Sequence, residues 1–193
     1  MKGVFGSQFE YQKLFLDISQ KNIRTGSLGS ADYAINVGHI FSPVPYPLLK
    51  THLGNNTPFF VNRAFNMMQG FEFVSSSYAS VSYTQFFGGF ILDRIPLMKT
   101  INKKLKWRLL GSFNMLYGTI DEKNLRLLPT QTATGQPIEK FQTLSPGIPY
   151  MEIGYGVDNI FKFFRVDFIH RVNYLDSPGA KSFGIKFLAQ IKL

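Results

Sequence analysis

The chain has 193 residues, with 21 lysine and arginine residues against 12 aspartate and glutamate residues, a formal net charge of +9. Its hydrophobic content of 45% excludes a disordered or collagen-like chain, and the lack of cysteine excludes disulfides, thiolate zinc sites and cysteine nucleophiles. Aromatic residues reach 16% while charged residues stay at 17%, below the roughly 25% of an average soluble domain, so an excess of aromatic surface has to be covered.

Spanning helices and an export signal are not predicted. The longest apolar or glycine run is Phe86 to Leu92, far shorter than the roughly 20 residues of a membrane helix. Met1 to Gln20 lacks the continuous apolar stretch of a secretory signal. A membrane-spanning strand needs only about 9 to 11 residues, and alternate ones can be polar, so this class is retained.

Apolar residues alternate with polar ones along most of the chain, which predicts strands. The eight predicted strands are, in chain order, Phe9–Ile18, Ser30–Phe41, Phe65–Phe73, Tyr78–Leu92, Leu105–Tyr117, Met151–Val157, Phe164–Tyr174 and Phe183–Leu193. Proline opens and glycine closes Pro45–Gly54, which predicts one short helix, and no other helix is predicted. Residues 1–193 are interpreted as one all-β domain.

The two faces of these strands differ in a way that favours an antiparallel transmembrane β-barrel. Full charges occupy mid-strand positions, and the strands are longer than the average of about 5 or 6 residues. The predicted lumen-facing residues are Lys106, Arg108, Glu152, Arg165, Asp167, Arg171 and Lys186. The predicted lipid-facing residues are Tyr33, Ile35, Val37, Trp107, Leu109, Phe113, Val166, Phe168, Phe183, Ile185 and Phe187. A soluble barrel or sandwich with the apolar face as its core is the alternative.

The connections test this interpretation, because periplasmic turns of outer-membrane barrels are short and outer loops are long. With a periplasmic C-terminus, the longest connection, Gly118 to Pro149, falls outside as the rule requires. With eight strands, the connection Ser42 to Ala64 falls inside and is longer than the rule allows.

No catalytic, cofactor or metal site is predicted. His170 lies on the predicted lipid-facing side, which raises the alternative of a barrel-borne lipid hydrolase, but no nucleophile can be placed within its reach. His39 and His52 are interpreted as a solvated strand end and a solvated turn residue, and no histidine pair has metal-ligand spacing.

Binding of nucleic acid is not predicted despite the positive charge. Alternation sends Lys106 and Arg108 to one face and Trp107 to the other, which separates phosphate contacts from base stacking. The basic residues are instead interpreted as lumen residues that favour anions.

Three segments resemble a known family: FNMMQGFEF (65–73), FFGGFILDRIPL (86–97) and PYMEIGYGVDNIFK (149–162). They are similar to the C-terminal part of an uncharacterised outer-membrane barrel family of Bacteroidota, whose members carry a carboxypeptidase-regulatory-like domain at the N-terminus. The likeness covers about Ser30 to Leu193. It implies a longer parent protein with further strands upstream, so that the barrel domain here is incomplete on its N-terminal side.

The last predicted strand also resembles the recognition signal of the barrel-assembly machinery, through Ser182, Gly184 and Phe187. The expected partners are therefore the lipid bilayer and this machinery, and the expected location is the outer membrane. The expected function is a channel, transport or surface-assembly component without catalysis of its own. The alternatives are a barrel-borne lipid hydrolase and a soluble ligand-binding β-barrel.

Overall fold

The computed structural model describes residues 11–131, 135–136 and 142–189. Its main feature is a seven-stranded sheet in which every neighbouring pair is antiparallel, in the order β1-β2-β5-β6-β7-β8-β9. These strands are β1 (Lys13–Arg24), β2 (Ser30–Ile40), β5 (Ser77–Phe86), β6 (Arg108–Thr119), β7 (Tyr150–Ile160), β8 (Phe164–Arg171) and β9 (Phe183–Ala189). The predicted all-β class is confirmed. Within the described residues the sheet is open, with β1 and β9 as its edges.

The predicted strand Phe65–Phe73 is wrong. These residues form bends and turns, and Phe71 has a left-handed backbone conformation with a φ of 61°. The backbone N–H groups of Asn66 and Met67 donate to a side-chain carboxylate of the sheet, as described below, and not to a neighbouring strand. Alternation of apolar residues alone could not reveal that the backbone bonds are used in this way.

Residues 52–73 form a compact excursion, which we call the inner segment. The short antiparallel pair β3 (Lys50–Thr51) and β4 (Val74–Ser75) closes its base. At Gly54 the backbone comes so close to residues 68 and 69 that a Cβ atom would lie 2.1 Å from the Gln69 carbonyl oxygen. The inner segment lies against one side of the seven-stranded sheet, which we call the inner face. The other side is the outer face.

The main apolar core lies between the inner segment and the sheet. Its buried members are Phe65, Met68, Phe73, Tyr78, Leu116, Leu144 and Tyr150, with Tyr174 packed against them. This cluster contains none of the residues predicted to face lipid. The apolar face identified in the sequence is therefore not the core of the described structure.

The inner segment also reaches both edges of the open sheet. Phe187 of β9 donates its backbone N–H to the Pro58 carbonyl and accepts one from Phe60, each at 2.8 Å. Arg63, a few residues further on, donates to the Asp17 carboxylate of β1 at 2.9 Å. β1 itself is exposed along nearly its whole length, including apolar Leu14 at 68%.

Two α-helices were not predicted from the sequence. They are α1 (Pro96–Leu105), between β5 and β6, and the one-turn helix α2 (Glu122–Leu125). The predicted helix Pro45–Gly54 contains only a 3-10 helix at Tyr46–Leu48, and Lys50–Thr51 within it form β3. The signals of α1 were proline in the first turn and apolar side chains four residues apart at Leu97 and Ile101.

Successive strands alternate in direction, which sorts the connections between two ends of the sheet. The connections 25–29, 87–107 and 161–163 lie at one end, which we call the α1 end. The connections 41–76, 120–149 and 172–182 lie at the opposite end. Because residues 65–73 are not a strand, the connection 41–76 lies at the same end of the sheet as the other long connection, 120–149. The prediction of eight strands had placed the two long connections at opposite ends.

Candidate functional site: the inner face of the sheet

The Glu152 carboxylate of β7 holds the inner segment on the inner face. Glu152 is fully buried, and its side chain accepts the backbone N–H groups of Asn66 at 3.0 Å and Met67 at 2.7 Å. The Tyr150 hydroxyl donates to it at 2.8 Å and the Asn114 side-chain amide at 3.2 Å. A buried carboxylate is tolerated only when such donors replace water, so this charge depends on the inner segment being in place.

A second anchor is the ion pair between Glu72 of the inner segment and Arg171 of β8. Both side chains are buried, and two parallel bonds of 2.6 and 3.0 Å join them. Arg171 also donates to the carbonyl oxygens of Asn173 and Tyr174, at 3.0 and 2.6 Å. A bidentate arginine with its other donors satisfied is the arrangement that makes a buried ion pair tolerable.

Three more of the predicted lumen-facing cations, Arg165, Arg108 and Lys186, are also partnered. Arg165 makes two bonds of 2.7 Å to the buried Asp167 beside it on β8, and Arg108 pairs with Asp158. Lys186 of β9 donates to the carbonyl oxygens of residues 55 and 57 of the inner segment, at 2.8 and 2.6 Å. These three side chains are therefore bound to carboxylate or carbonyl groups, and the preference of a lumen for anions stays a prediction.

A polar cavity of about 550 Å³ lies beside the inner segment, over the half of the sheet nearest β1. Many of its lining residues are short, neutral and polar: Ser19, Asn36, Ser80, Ser82, Thr84, Ser112 and Asn114 from the sheet, and Asn62 and Asn66 from the inner segment. The charged residues Lys21, Asp32, Arg63 and Arg165 line it as well. The Asn66 side-chain oxygen is buried and has no hydrogen-bond partner among the described residues. The inner face is thus filled by protein on one side and hydrophilic and hollow on the other.

Five of the seven residues predicted to face the lumen are buried on the inner face, namely Glu152, Arg165, Asp167, Arg171 and Lys186. Arg108 is partly buried there. Lys106 is elsewhere: it follows α1 with a left-handed φ of 54°, donates its backbone N–H to the Asn102 carbonyl at 2.8 Å, and is exposed. Its prediction was wrong because the helix, which the sequence analysis missed, continues almost to the start of β6.

The residues predicted to face lipid lie on the opposite side and are all partly or largely exposed. Val37, Phe183, Ile185 and Phe187 are exposed by 41 to 43%. Tyr33, Ile35, Leu109, Phe113, Val166 and Phe168 are half-buried by their neighbours on the same face. Trp107 stands just before β6, and its indole N–H is buried without a partner among the described residues.

The three histidines occupy different environments. His170 lies on the outer face, together with the residues predicted to face lipid, where its ring stacks on Tyr155 at 5.8 Å and is tilted against Phe183 at 4.9 Å between centroids. His39 is half-buried, and its Nδ1 lies 2.6 Å from the hydroxyl of Ser77, directly opposite on β5. Sequence reasoning could not pair these two, because their contact depends on the register between β2 and β5.

His52 is 3% exposed, so its interpretation as a solvated turn residue is wrong. It follows β3, lies edge-on to Tyr78, and has its Nε2 3.1 Å from the Ser75 hydroxyl. Burial, reinforced by the positive charge of Lys50, lowers the pKa of His52 to about 3. The imidazole is therefore neutral near pH 7.

Within the described ranges, no group of three or more His, Asp or Glu residues is placed to hold a metal ion. The helices of these ranges are too short and too polar to span a bilayer. The residues that sequence reasoning missed belong to the inner segment. Glu72 carried a weak signal, as an acidic residue amid apolar ones, but its partner Arg171 is 99 positions away. Asn66 and Met67 act through their backbone N–H groups, which no side-chain pattern reveals.

The fold and this site define an antiparallel β-sheet protein whose charged side chains are buried and paired on one face while its large apolar side chains are exposed on the other. Residues 1–124 match the family described as "family of unknown function (DUF5686), C-terminal domain", and the chain belongs to that family. The match runs from the N-terminus through most of α2. No curated protein and no solved structure matches the chain.

We predict that Glu152→Gln loosens the inner segment. The backbone N–H groups of Asn66 and Met67 donate to the Glu152 carboxylate, and the NH₂ group of a glutamine amide cannot accept them. Each hydrogen bond to a buried charge that is lost costs about 1.5 to 3 kcal/mol. Because the chain has no cysteine, Met67→Cys gives a single probe at a position that is 7% exposed. Maleimide should label this cysteine roughly tenfold faster, or more, when Glu152→Gln is added. Glu122→Gln, at an exposed position, is the control. Equal labelling rates in all three proteins would contradict the anchoring role.

A second prediction concerns pH. The unfolded chain protonates His52 below about pH 6.5, while the folded protein resists protonation down to about pH 3. The buried, neutral His52 therefore makes its full contribution to the free energy of unfolding above about pH 6.5. As the pH falls from there towards 3, the free energy of unfolding decreases by about 1.4 kcal/mol for each pH unit. Urea unfolding followed by Trp107 fluorescence should show this dependence in the wild type and less of it in His52→Gln. An unchanged profile in His52→Gln would refute the assignment.

Proposed function

We propose that this chain is part of an outer-membrane β-barrel, one that acts as a channel, transport or surface-assembly component and has no catalysis of its own. The observation that carries the proposal is the distribution of side chains between the two faces. Glu152, Asp167 and Arg171 are buried on the inner face, while Val37, Phe183 and Phe187 on the outer face are exposed by more than two fifths.

This distribution is unfavourable for a protein surrounded by water. Each Å² of apolar surface left in water costs about 25 cal/mol, and monomeric soluble proteins rarely expose contiguous apolar patches beyond a few hundred Å². On β7 to β9 the exposed outer face is a continuous aromatic cluster, with Tyr155 stacked on Phe168 at 5.5 Å and Phe168 on Phe183 at 6.4 Å. Acyl chains would cover this surface without cost, as they cover the outer band of membrane barrels.

The topology supports the same proposal. Bacterial outer-membrane barrels have long outer loops and an even number of strands. The two longest connections, 41–76 and 120–149, share one end of the sheet, which would face outside the cell.

The number of strands shows what a closed barrel would require. Seven strands leave Lys13 and Ala189 at opposite ends, so an odd number of further strands would be needed to close the barrel with both termini on one side. The exposed edge of β1 is where such strands would pair, in agreement with the longer parent protein that the resemblance to Bacteroidota barrels implies.

In this proposal the inner segment partly plugs the lumen. Its anchors, Glu152 and the Glu72–Arg171 pair, attach it to the strands of one half of the sheet, and the polar cavity beside it would be the part of the lumen open to water. Passage of a solute would then depend on the cavity or on displacement of the inner segment. The barrel-assembly machinery would insert the protein through the last strand.

A cysteine scan along β5 tests the proposal. Ala79, Val81 and Tyr83 are on the outer face, whereas Ser80, Ser82 and Thr84 line the cavity on the inner face. Each is changed singly to cysteine, labelled with a fluorophore, and the protein is reconstituted in bilayers with nitroxide-labelled lipid. Quenching should alternate along the strand, strong at the first three positions and weak at the others. A soluble barrel would show no quenching at either set, and such a result would end the membrane proposal.

The hydrolase alternative has one observation in its favour. His39 Nδ1 and Ser77 Oγ are 2.6 Å apart on the outer face, beside a mainly apolar groove of about 530 Å³ lined in part by Leu14, Leu16 and Tyr117. A serine nucleophile needs such a base, but also a group that orients the base and donors for the oxyanion. Around His39 the described ring contact is the edge of Phe41 at 4.3 Å, which orients by packing alone.

We therefore expect no release of fatty acid from phospholipid by the reconstituted wild-type chain beyond that of Ser77→Ala. The pair then acts only as a cross-strand hydrogen bond. Hydrolysis by the wild type that disappears in Ser77→Ala would instead identify a lipid hydrolase, and the absence of catalysis in our proposal would be wrong.

A further inference from the structure

The two ends of the sheet differ in charge. In the connections at the α1 end, the basic residues are Arg94, Lys99, Lys103, Lys104, Lys106 and Lys162, and the only acidic residue is Asp93. In the described connections at the opposite end, the basic residues are Lys50, Arg63, Lys123, Arg126 and Lys181, and the acidic ones are Glu72, Asp121, Glu122 and Asp176. The α1 end is thus strongly positive, and the other end is nearly balanced.

The positive end also exposes large apolar side chains. Leu97 of α1 is 72% exposed, and Ile95 and Ile101 beside it are 47% and 39% exposed. At the tip of the β7–β8 hairpin, Phe161 and Phe163 are 68% and 46% exposed. Exposed apolar residues next to lysines are unusual for a solvated turn, where nothing compensates for the apolar surface left in water.

Helix α1 places most of its apolar and basic side chains on different sides. Leu97 and Ile101 are four residues apart and share one side of the helix, whereas Lys99 and Lys103, likewise four apart, lie on the other. Lys104, three residues after Ile101, lies beside the apolar side. Only Asn102 of the helix is buried against the protein. A short basic helix with an exposed apolar side is the pattern of a helix that lies in a membrane interface.

The helix and the hairpin are connected. The Asn159 side-chain amide, at the end of β7, donates to the Lys106 carbonyl oxygen just after α1 at 2.7 Å. The apolar tips of both elements therefore belong to the same end of the sheet and are held in a fixed relation. This places Lys106 and Lys162 in one basic surface.

We propose that the α1 end binds anionic phospholipid headgroups, with the lysines at the phosphates and Leu97, Ile101 and Phe161 in the acyl boundary. Charge complementarity identifies the partner, because an anionic leaflet attracts basic segments with about 1 kcal/mol for each lysine or arginine near its surface. The apolar side chains favour a bilayer over a nucleic acid or a free phosphate, neither of which offers an apolar layer. This inference rests on the proposed membrane location and adds the lipid class that one end recognises.

Trp107, the only tryptophan, follows the basic segment directly and reports on the lipid around it. The full chain is reconstituted in mixed phosphatidylcholine and phosphatidylglycerol bilayers in which either lipid, at the same mole fraction, carries brominated acyl chains that quench indole fluorescence. Enrichment of anionic lipid at the α1 end predicts that brominated phosphatidylglycerol quenches Trp107 about twofold or more strongly than brominated phosphatidylcholine. The difference should shrink at high salt, which screens exposed charges.

Two charge-matched variants test the cause. Lys99→Gln, Lys103→Gln and Lys104→Gln together should bring the ratio of the two quenching efficiencies close to one. Lys123→Gln, Arg126→Gln and Lys181→Gln remove the same charge from the opposite end and should leave the ratio unchanged. The Arg126–Glu122 pair that this control loses is exposed and contributes little to stability.

Three other outcomes of the quenching experiment would each contradict a different claim. Equal quenching by both lipids in the wild type would refute headgroup recognition while leaving the membrane location intact. The same loss of preference in both triple variants would show that total charge, and not the α1 end, selects the lipid. Absence of quenching by either lipid would contradict the proposed membrane function and, with it, this inference.

Discussion

The need to pair buried charge governs this structure. Strands β7 to β9 place Glu152, Asp167, Arg171 and Lys186 on one face, and an ionised side chain removed from water must find partners that replace its hydration. Asp167 finds Arg165 on its own strand, but Glu152, Arg171 and Lys186 bind the inner segment. The segment 52–73 is therefore not a loose loop, because the charges of the sheet determine where it lies.

The same requirement explains why the apolar core is small and displaced. Aromatic and aliphatic residues of the inner segment pack against Tyr78, Leu116 and Tyr150 towards the end opposite α1, where the inner face changes from charged to apolar. The larger apolar surface lies outside and covers nothing within the described residues. In an open sheet with this distribution, the outer face lacks an apolar cover and the edge of β1 lacks a neighbouring strand. We propose a bilayer as the cover and further strands as the neighbours of β1.

The position of one segment changed the topology. Counting 65–73 as a strand placed the connection 42–64 at the wrong end and gave both termini the same side. With those residues bound to Glu152 and Glu72 by their backbone N–H groups, the connection 41–76 joins 120–149, and β1 and β9 end at opposite ends of the sheet.

The sequence by itself determined which side chains share a face of the sheet. Period-two alternation assigns each side chain of β2, β6 and β8 to one of the two faces, and this assignment does not depend on what covers the face. It also determined that Arg165, Asp167 and Arg171 share a face. Only the tertiary structure decided that Phe65–Phe73 leaves the sheet, that His52 is buried, and that Arg171 meets Glu72. The physical reason is that alternation reflects local backbone geometry. The partner of a buried charge or of a buried backbone N–H is instead a group from a distant segment, which replaces water at that position only after the chain has folded.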